Sequence, residues 1–283
     1  MSILVATSLG QAVEELAADP GATLLAGGTD LMVEVNEFGR HVGKVIALNR
    51  VPELRTWHHD PIARLLHIGA GITWAEIGRE PISSWVPSLA QAALTVGSPQ
   101  IRNAGTIGGN LATCSPAGDG LPPLAALGAV VHLVSSVGRR SLPFGDFMIG
   151  PKQSALRPGE LITGVSVPVV SGWQGFSKVG ARNAMVIAIA SAALVTDTEH
   201  RSLRVALGAS GPQIILCPEA EALVVVEADF AARRVSPAVV AEFTELVRRA
   251  ARPIDDHRST ADHRRHSVGV LAGRLLRRAF PNE

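Results

Sequence analysis

Residues 98–120 read SPQIRNAGTIGGNLATCSPAGDG, and this stretch decides how the chain folds and what it can hold. Its glycines at 105, 108 and 109 permit left-handed backbone and let the main chain come close to a ligand. Successive unhindered N–H groups in such a turn form a concave nest suited to phosphate oxygens. Thr106, Asn110, Thr113 and Ser115 add side-chain donors without charge, and Asp119 is the one carboxylate. The chemistry suits an anionic, hydroxyl-rich ligand. Taken alone, the stretch fits a glycine-rich loop without a ligand equally well.

A second glycine turn near the start of the chain shifts that balance. The short apolar run 23–26, TLLA, is followed at once by Gly27-Gly28-Thr29-Asp30, and apolar residues resume with LMVEV over 31–35. A buried strand feeding a Gly-Gly turn and then a helix N-terminus aims backbone N–H groups at a phosphate. Thr29 or Asp30 is the expected cap of that helix. Two such loops on one chain could grip the two ends of a pyrophosphate.

Composition narrows the function classes. The 283 residues suffice for two domains, and 47% apolar against 18% charged residues makes a folded chain rather than a disordered one. A formal charge of +1 argues against a nucleic-acid surface. Two cysteines, Cys114 and Cys217, leave no disulfide framework, no four-cysteine zinc site and no self-contained iron–sulfur cluster. The segment 1–5 lacks a basic leader, and no apolar run approaches membrane-spanning length. A cytoplasmic protein without membrane insertion is expected.

Working outward, 8–18 reads as an amphipathic helix with a Ser8/Gln11 capping box, ended by Pro20-Gly21. With strands at 23–26 and 44–48 it makes a βαβ-like unit whose working end is the glycine turn. Residues 55–58 and 65–68 form a hairpin turned by Asp60-Pro61. His58 and His59 point to opposite faces of its first strand, so they share no metal. Gly69-Ala70-Gly71 invites a dinucleotide-binding reading that fails, since Trp74 stands where the third glycine belongs. Thr73 and Glu76 make a capping box instead. Two other near-misses fail likewise. Pro151 replaces the lysine of a phosphate-binding loop over 145–150, and Pro212 spoils a nucleophile elbow over 208–212.

Helices are expected over 88–96 and 121–127, a hairpin over 129–142 and a strand over 160–168, with a domain boundary at 168–173. Beyond it, 175–179, the apolar run 186–195 and 203–207 predict a small antiparallel sheet. Helices follow over 218–225, 236–251 and 260–279. The last pairs a core face of Val268, Leu271, Leu275 and Leu276 with a basic face of Arg264, Arg265, Arg274, Arg277 and Arg278. That face reads as solvated or as a docking surface for a partner subunit. His257, His263 and His266 lie among arginines that would repel a metal cation.

Ala26-Gly27-Gly28-Thr29-Asp30 together with Thr106-Ile107-Gly108-Gly109-Asn110 resembles the FAD-binding (medium) subunit of the molybdenum hydroxylases, the xanthine dehydrogenase and carbon monoxide dehydrogenase type. Residues 48–54, 99–103, 254–258 and 260–265 resemble that family too, with His263 where a tyrosine is usual. The resemblance runs from about Thr7 to Ala279. It implies an α+β fold: two α/β subdomains of the vanillyl-alcohol-oxidase (PCMH-type) FAD-binding fold, then a C-terminal domain with a small antiparallel sheet and helices. The expected division is 1–170, with subdomains about 1–53 and 54–170, and 171–283.

Carried over residue by residue, the resemblance implies that Leu25, Ala26, Gly27, Gly28, Thr29, Asp30, Leu31 and Met32 wrap the FAD pyrophosphate. Thr106, Ile107, Gly108, Gly109 and Asn110 supply the second clamp. Asp119 accepts hydrogen bonds from FAD hydroxyls, or else caps the following helix. Lys178 stands near the isoalloxazine, where a positive charge favours the reduced flavin. Val96 and Ile162 are apolar contacts of the cofactor or plain core. With no tyrosine in the chain and no histidine in either glycine loop, the FAD is expected to be non-covalent.

No catalytic or metal-binding residue is assigned. The resemblance implies a molybdopterin large subunit and a [2Fe–2S] small subunit as partners, NAD+ or another electron acceptor, and a dimer of heterotrimers. The segment 178–185 resembles xanthine dehydrogenase-type flavin subunits most, which points to a purine or another N-heterocycle, with carbon monoxide second. A free-standing flavin oxidase of the same fold and a scaffold that has lost flavin are the alternatives from other classes.

Overall fold

A computed structural model describes residues 2–281. A three-stranded parallel sheet opens the chain, ordered Ser2–Val5, Lys44–Ala47, Thr23–Leu25. The helix Leu9–Ala18 buries Ala12 and Leu16, and Ser8 caps it by accepting from the Gln11 N–H. The reciprocal half of the expected capping box is displaced by one residue, because the Gln11 side chain accepts from the Thr7 N–H at 2.8 Å. The strand ends at Leu25, one residue before the prediction, so Ala26 already belongs to the turn.

Five antiparallel strands follow, in the order Trp57–Asp60, Leu65–Gly69, Leu161–Pro168, Val130–Ser135, Gly138–Pro143. The buried face carries Leu66, Ile68, Val131, Leu133 and Val165. The helix Ile107–Thr113 lies against the central strand of this sheet, while the helices Pro87–Thr95 and Leu121–Ala126 share its core but pack on two later strands, Gln174–Val179 and Ala190–Asp197 respectively. The latter two helices begin with proline in the first turn, where the missing N–H costs nothing.

The final sheet runs Gln174–Val179, Ala190–Asp197, Ser202–Gly208, Ile215–Leu216. Its second strand explains the unbroken apolar run. Ala190, Ala192 and Leu194 face one core, built with the helices Pro218–Glu227, Pro237–Ala250 and Ala261–Ala279. Ala193 and Val195 face the other core, shared with the five-stranded sheet. A strand covered on both faces has no polar side to alternate with. The apolar content of 186–195 predicts strand throughout, but pairing begins only at Ala190. Residues 180–189 are irregular: the Val186 carbonyl accepts from Lys178 Nζ at 3.0 Å, and Val186 folds back on Gly180, where a Cβ would lie 2.3 Å from its Cγ1. Among the described residues no helix is long and apolar enough to cross a membrane.

One polar row crosses the outer face of the five-stranded sheet. His67 Nδ1 lies 2.6 Å from Ser166 Oγ, Ser166 Oγ contacts His132 Nε2, and His132 Nδ1 lies 2.8 Å from Ser141 Oγ. His58 stacks beside His67, while His59 faces the other way and stacks on Trp85. Burial, helped by His67, holds the His132 pKa below the usual histidine value. The unfolded chain therefore binds the extra proton more readily, so the contribution of His132 is full above about pH 6.5 and is lost as pH falls. Urea midpoints should drop between pH 7 and 5 with a slope no steeper than about 1.4 kcal/mol per pH unit for this group. His132→Gln should flatten that slope.

Candidate functional site

The two glycine loops meet. A Cβ on Gly27 would lie 1.9 Å from the Ala104 carbonyl oxygen, so only glycine lets the first loop sit on the entry to the second. Gly28, at φ +71°, needs its freedom for a different reason, since it turns the chain into the helix Leu31–Phe38. Across the junction the Thr113 hydroxyl donates to Asp30 Oδ2 at 3.2 Å. Asp30 occupies the N-cap position of that helix without a side-chain capping bond, because its carboxylate is turned to Thr113 instead. Leu25, Ala26, Thr29 and Leu31 are half-buried around the turn, and Met32 is exposed.

The rail for the second loop is the glycine pair that failed as a dinucleotide motif. Gly108 N–H donates to Ala70 O at 2.9 Å, Ile107 N–H to Ile72 O at 3.0 Å, and Trp74 N–H to Gly105 O at 3.1 Å. A Cβ at Gly69 would lie 2.4 Å from Leu54 O, which is why glycine is needed there too. Thr73 and Glu76 form the expected capping box, and Thr73 bridges to Thr106. Thr106 is buried and caps the helix Ile107–Thr113, accepting from Gly109 N–H at 3.0 Å. Thr106→Ala should cost about 1 kcal/mol, read as a lowered denaturant midpoint.

These bonds divide the work of the loops. Among the described residues, the N–H groups of residues 26–30 have no partner in the chain. The N–H groups of Ile107, Gly108, Gly109 and Asn110 are all committed, the last to Thr106 O at 3.1 Å. The first loop is the open nest. What the second loop leaves open is an acceptor, Asn110 Oδ1, buried and unpartnered.

Asp119 supplies a second such acceptor. Its Oδ2 accepts from Lys178 Nζ at 2.5 Å and from the Thr95 hydroxyl at 3.0 Å, while its Oδ1 is buried with no partner. Burial pushes the Asp119 carboxyl up, and the Lys178 ammonium and Thr95 hydroxyl oppose that. The carboxylate does not cap the next helix, whose N-cap position is Gly120. Lys178 spends its other two protons on Thr95 O and Val186 O, each at 3.0 Å. The sequence suggested a lysine and a carboxylate separately, and the fold joins them. Val96, half-buried, follows Thr95 at the end of its helix, and its carbonyl accepts from Arg102. Ile162 is buried on the central strand at a bulge.

Two neighbours escaped the sequence reading. Thr95, which fixes Asp119, sits in an apolar helix with no motif around it. Trp74 is buried and lies between Gly105 and Gly120, where a Cβ at Gly120 would be 2.1 Å from its ring. Only tertiary packing reveals either. Cys114 is buried small-residue filling, its thiol pushed up to about 11 by burial. Among the described residues no cluster of His, Cys, Asp or Glu suits a metal ion.

Residues 1–170 match the model of the FAD binding domain in molybdopterin dehydrogenase, and 176–279 match that of the CO dehydrogenase flavoprotein C-terminal domain. The chain belongs to this FAD-binding family. Among its relatives is a nicotinate dehydrogenase FAD-subunit of Eubacterium barkeri, 38% identical over 60% of this chain and 59% of the relative. A glyceraldehyde dehydrogenase medium chain of Sulfolobus acidocaldarius is 30% identical over 95% of both chains. In structure the chain is similar to a chain of quinoline 2-oxidoreductase from Pseudomonas putida 86, with TM-score 0.91 and 26% identity over 99% of this chain and 97% of that one.

The molybdopterin dehydrogenase family supplies an oxidoreductase role and FAD as cofactor. The site fits that cofactor on its own terms. A nest of free N–H groups calls for phosphate oxygens, and two buried orphan acceptors call for hydroxyl or N–H donors. FAD carries both.

Proposed function

We propose that this chain is the electron-transfer subunit of a molybdopterin-dependent hydroxylase or dehydrogenase, taking electrons from a [2Fe–2S] subunit and passing them to NAD+ or another acceptor. The observation that carries the reading is the open N–H nest of residues 26–30 pressed against the entry to a second loop, with Asn110 Oδ1 and Asp119 Oδ1 buried and unpartnered beyond it. Bound flavin would supply the two-electron chemistry that no side chain here can supply. Residues 25–32 would hold the pyrophosphate, and Asn110 and Asp119 would receive ligand hydroxyls. Lys178 would set the charge beside Asp119 and lie near the isoalloxazine. Substrate oxidation would belong to a molybdopterin large subunit.

An N-heterocycle is the favoured substrate of the whole enzyme, since the relatives named above include nicotinate and quinoline enzymes. Purines fall in that class. The 178–185 segment, which resembles xanthine-type subunits, points the same way. Purification from its native host decides the matter. Co-elution of FAD, molybdenum and iron with this chain, and reduction of its flavin by an N-heterocycle, are expected. A yellow chain that turns over substrate without partners would instead support a free-standing oxidase, and a colourless one would end the flavin reading.

A further inference from the structure

The last helix, Ala261–Ala279, buries a cation that the flavin reading leaves without a task. Helical spacing places Arg264 on the basic face, yet it is only 4% exposed. Its Nη1 donates to Ile189 O at 2.6 Å and to Ala209 O at 3.1 Å, and its Nη2 to Asp256 Oδ1 at 2.6 Å. Its Nε is buried and unpartnered. Burying a guanidinium is expensive even when it is paired, and an apolar residue would extend the core face of this helix at less cost. Stability alone therefore does not explain the residue.

The two carbonyls it holds do. Ile189 directly precedes the strand Ala190–Asp197, and Ala209 directly follows Ser202–Gly208, so Arg264 staples adjoining ends of neighbouring strands. Both ends reach the cofactor site. Ala209 N–H donates to Pro116 O at 2.7 Å, three residues before Asp119. Ile189 N–H donates to Val179 O at 2.8 Å, next to Lys178, and Val186 O, just upstream, accepts from the Lys178 ammonium.

We propose that Arg264 is a positioning residue for the flavin site, fixing through Ala209 and Ile189 the two backbone segments that place Asp119 and Lys178. A planar fork reaches three acceptors at set angles, which a lysine cannot do. The inference rests on the flavin reading above.

The test uses the full chain with FAD, comparing wild type, Arg264→Lys, Lys178→Met and the double variant. Arg264→Lys keeps the charge and should fold, yet its FAD dissociation constant should rise about tenfold. At saturating FAD its midpoint potential should fall, because the Lys178 ammonium is held less firmly. In the Lys178→Met background the same change should no longer move the midpoint potential, because the charge that it positions has gone. Unchanged affinity and potential with only a lower unfolding midpoint would overturn the proposal. A potential shift from Arg264→Lys that persists undiminished in the double variant would overturn it too. Failure of the wild-type chain to take up FAD would count against the flavin reading instead, which keeps the two failures apart.

Discussion

Lys178→Met should destabilise the chain by about 3–5 kcal/mol, the cost of leaving a buried charge without its partner. Asp119 is buried, with 7% of its side chain exposed, and Lys178 is nearly so at 10%. Solvent cannot take over the role of the ammonium. The loss should also depend on pH. Without Lys178, burial holds the Asp119 pKa even further above its unfolded value. The protonated carboxyl then favours the folded state, so stability is present at low pH and lost as pH rises through the folded pKa. Urea denaturation of the variant from pH 5 to 8 should show stability falling as pH rises. Adding Asp119→Leu should recover most of the stability at neutral pH, since an apolar pair can replace a buried ion pair. It should not recover FAD retention, because the acceptor for ligand hydroxyls has gone. A double variant that binds FAD like wild type would remove Asp119 from the site.

Gly27→Ala should be the most damaging single methyl group in the chain. The added carbon would lie 1.9 Å from Ala104 O and 2.5 Å from its carbonyl carbon. Those are backbone atoms at the end of the helix Pro99–Ala104, and they cannot rotate away as a side chain would. Overpacking of this kind costs about 3 kcal/mol at its upper range. Relief requires the two loops to separate, so FAD uptake should fail even where the fold survives. Gly145→Ala is the matched control, because nothing lies within 4 Å of the new carbon and the site is helical. Flavin absorbance after gel filtration and the thermal midpoint distinguish the two. Equal FAD content in both variants would show that loop contact is not what forms the site.

The sequence disclosed features carried by local chemistry. The glycine turns, the Thr73/Glu76 capping box and the helices with proline in the first turn were readable because each depends on residues close together in the chain. The alternation of the His58 hairpin marked a sheet face, and the structure adds that His67, Ser166 and His132 complete a row across it. Contacts between distant segments were not readable. Nothing near Thr95 marks it as the partner of Asp119, and Arg264 looked like its exposed neighbours because helical spacing fixes a face only to within one residue. The run 186–195 misled for a similar reason, since apolar content alone does not say where pairing begins.

The strand Ala190–Asp197 has alternate side chains in each of the two cores. A chain cut between Val170 and Trp173 would leave one fragment without Ala193 and Val195 to close its interior, and the other with those residues facing water. Melting should therefore be a single event seen alike by calorimetry and far-ultraviolet dichroism, and a protease nick in that linker should not yield two soluble pieces. The part of the chain after Val170 is the closing wall of the N-terminal portion rather than cargo carried behind it.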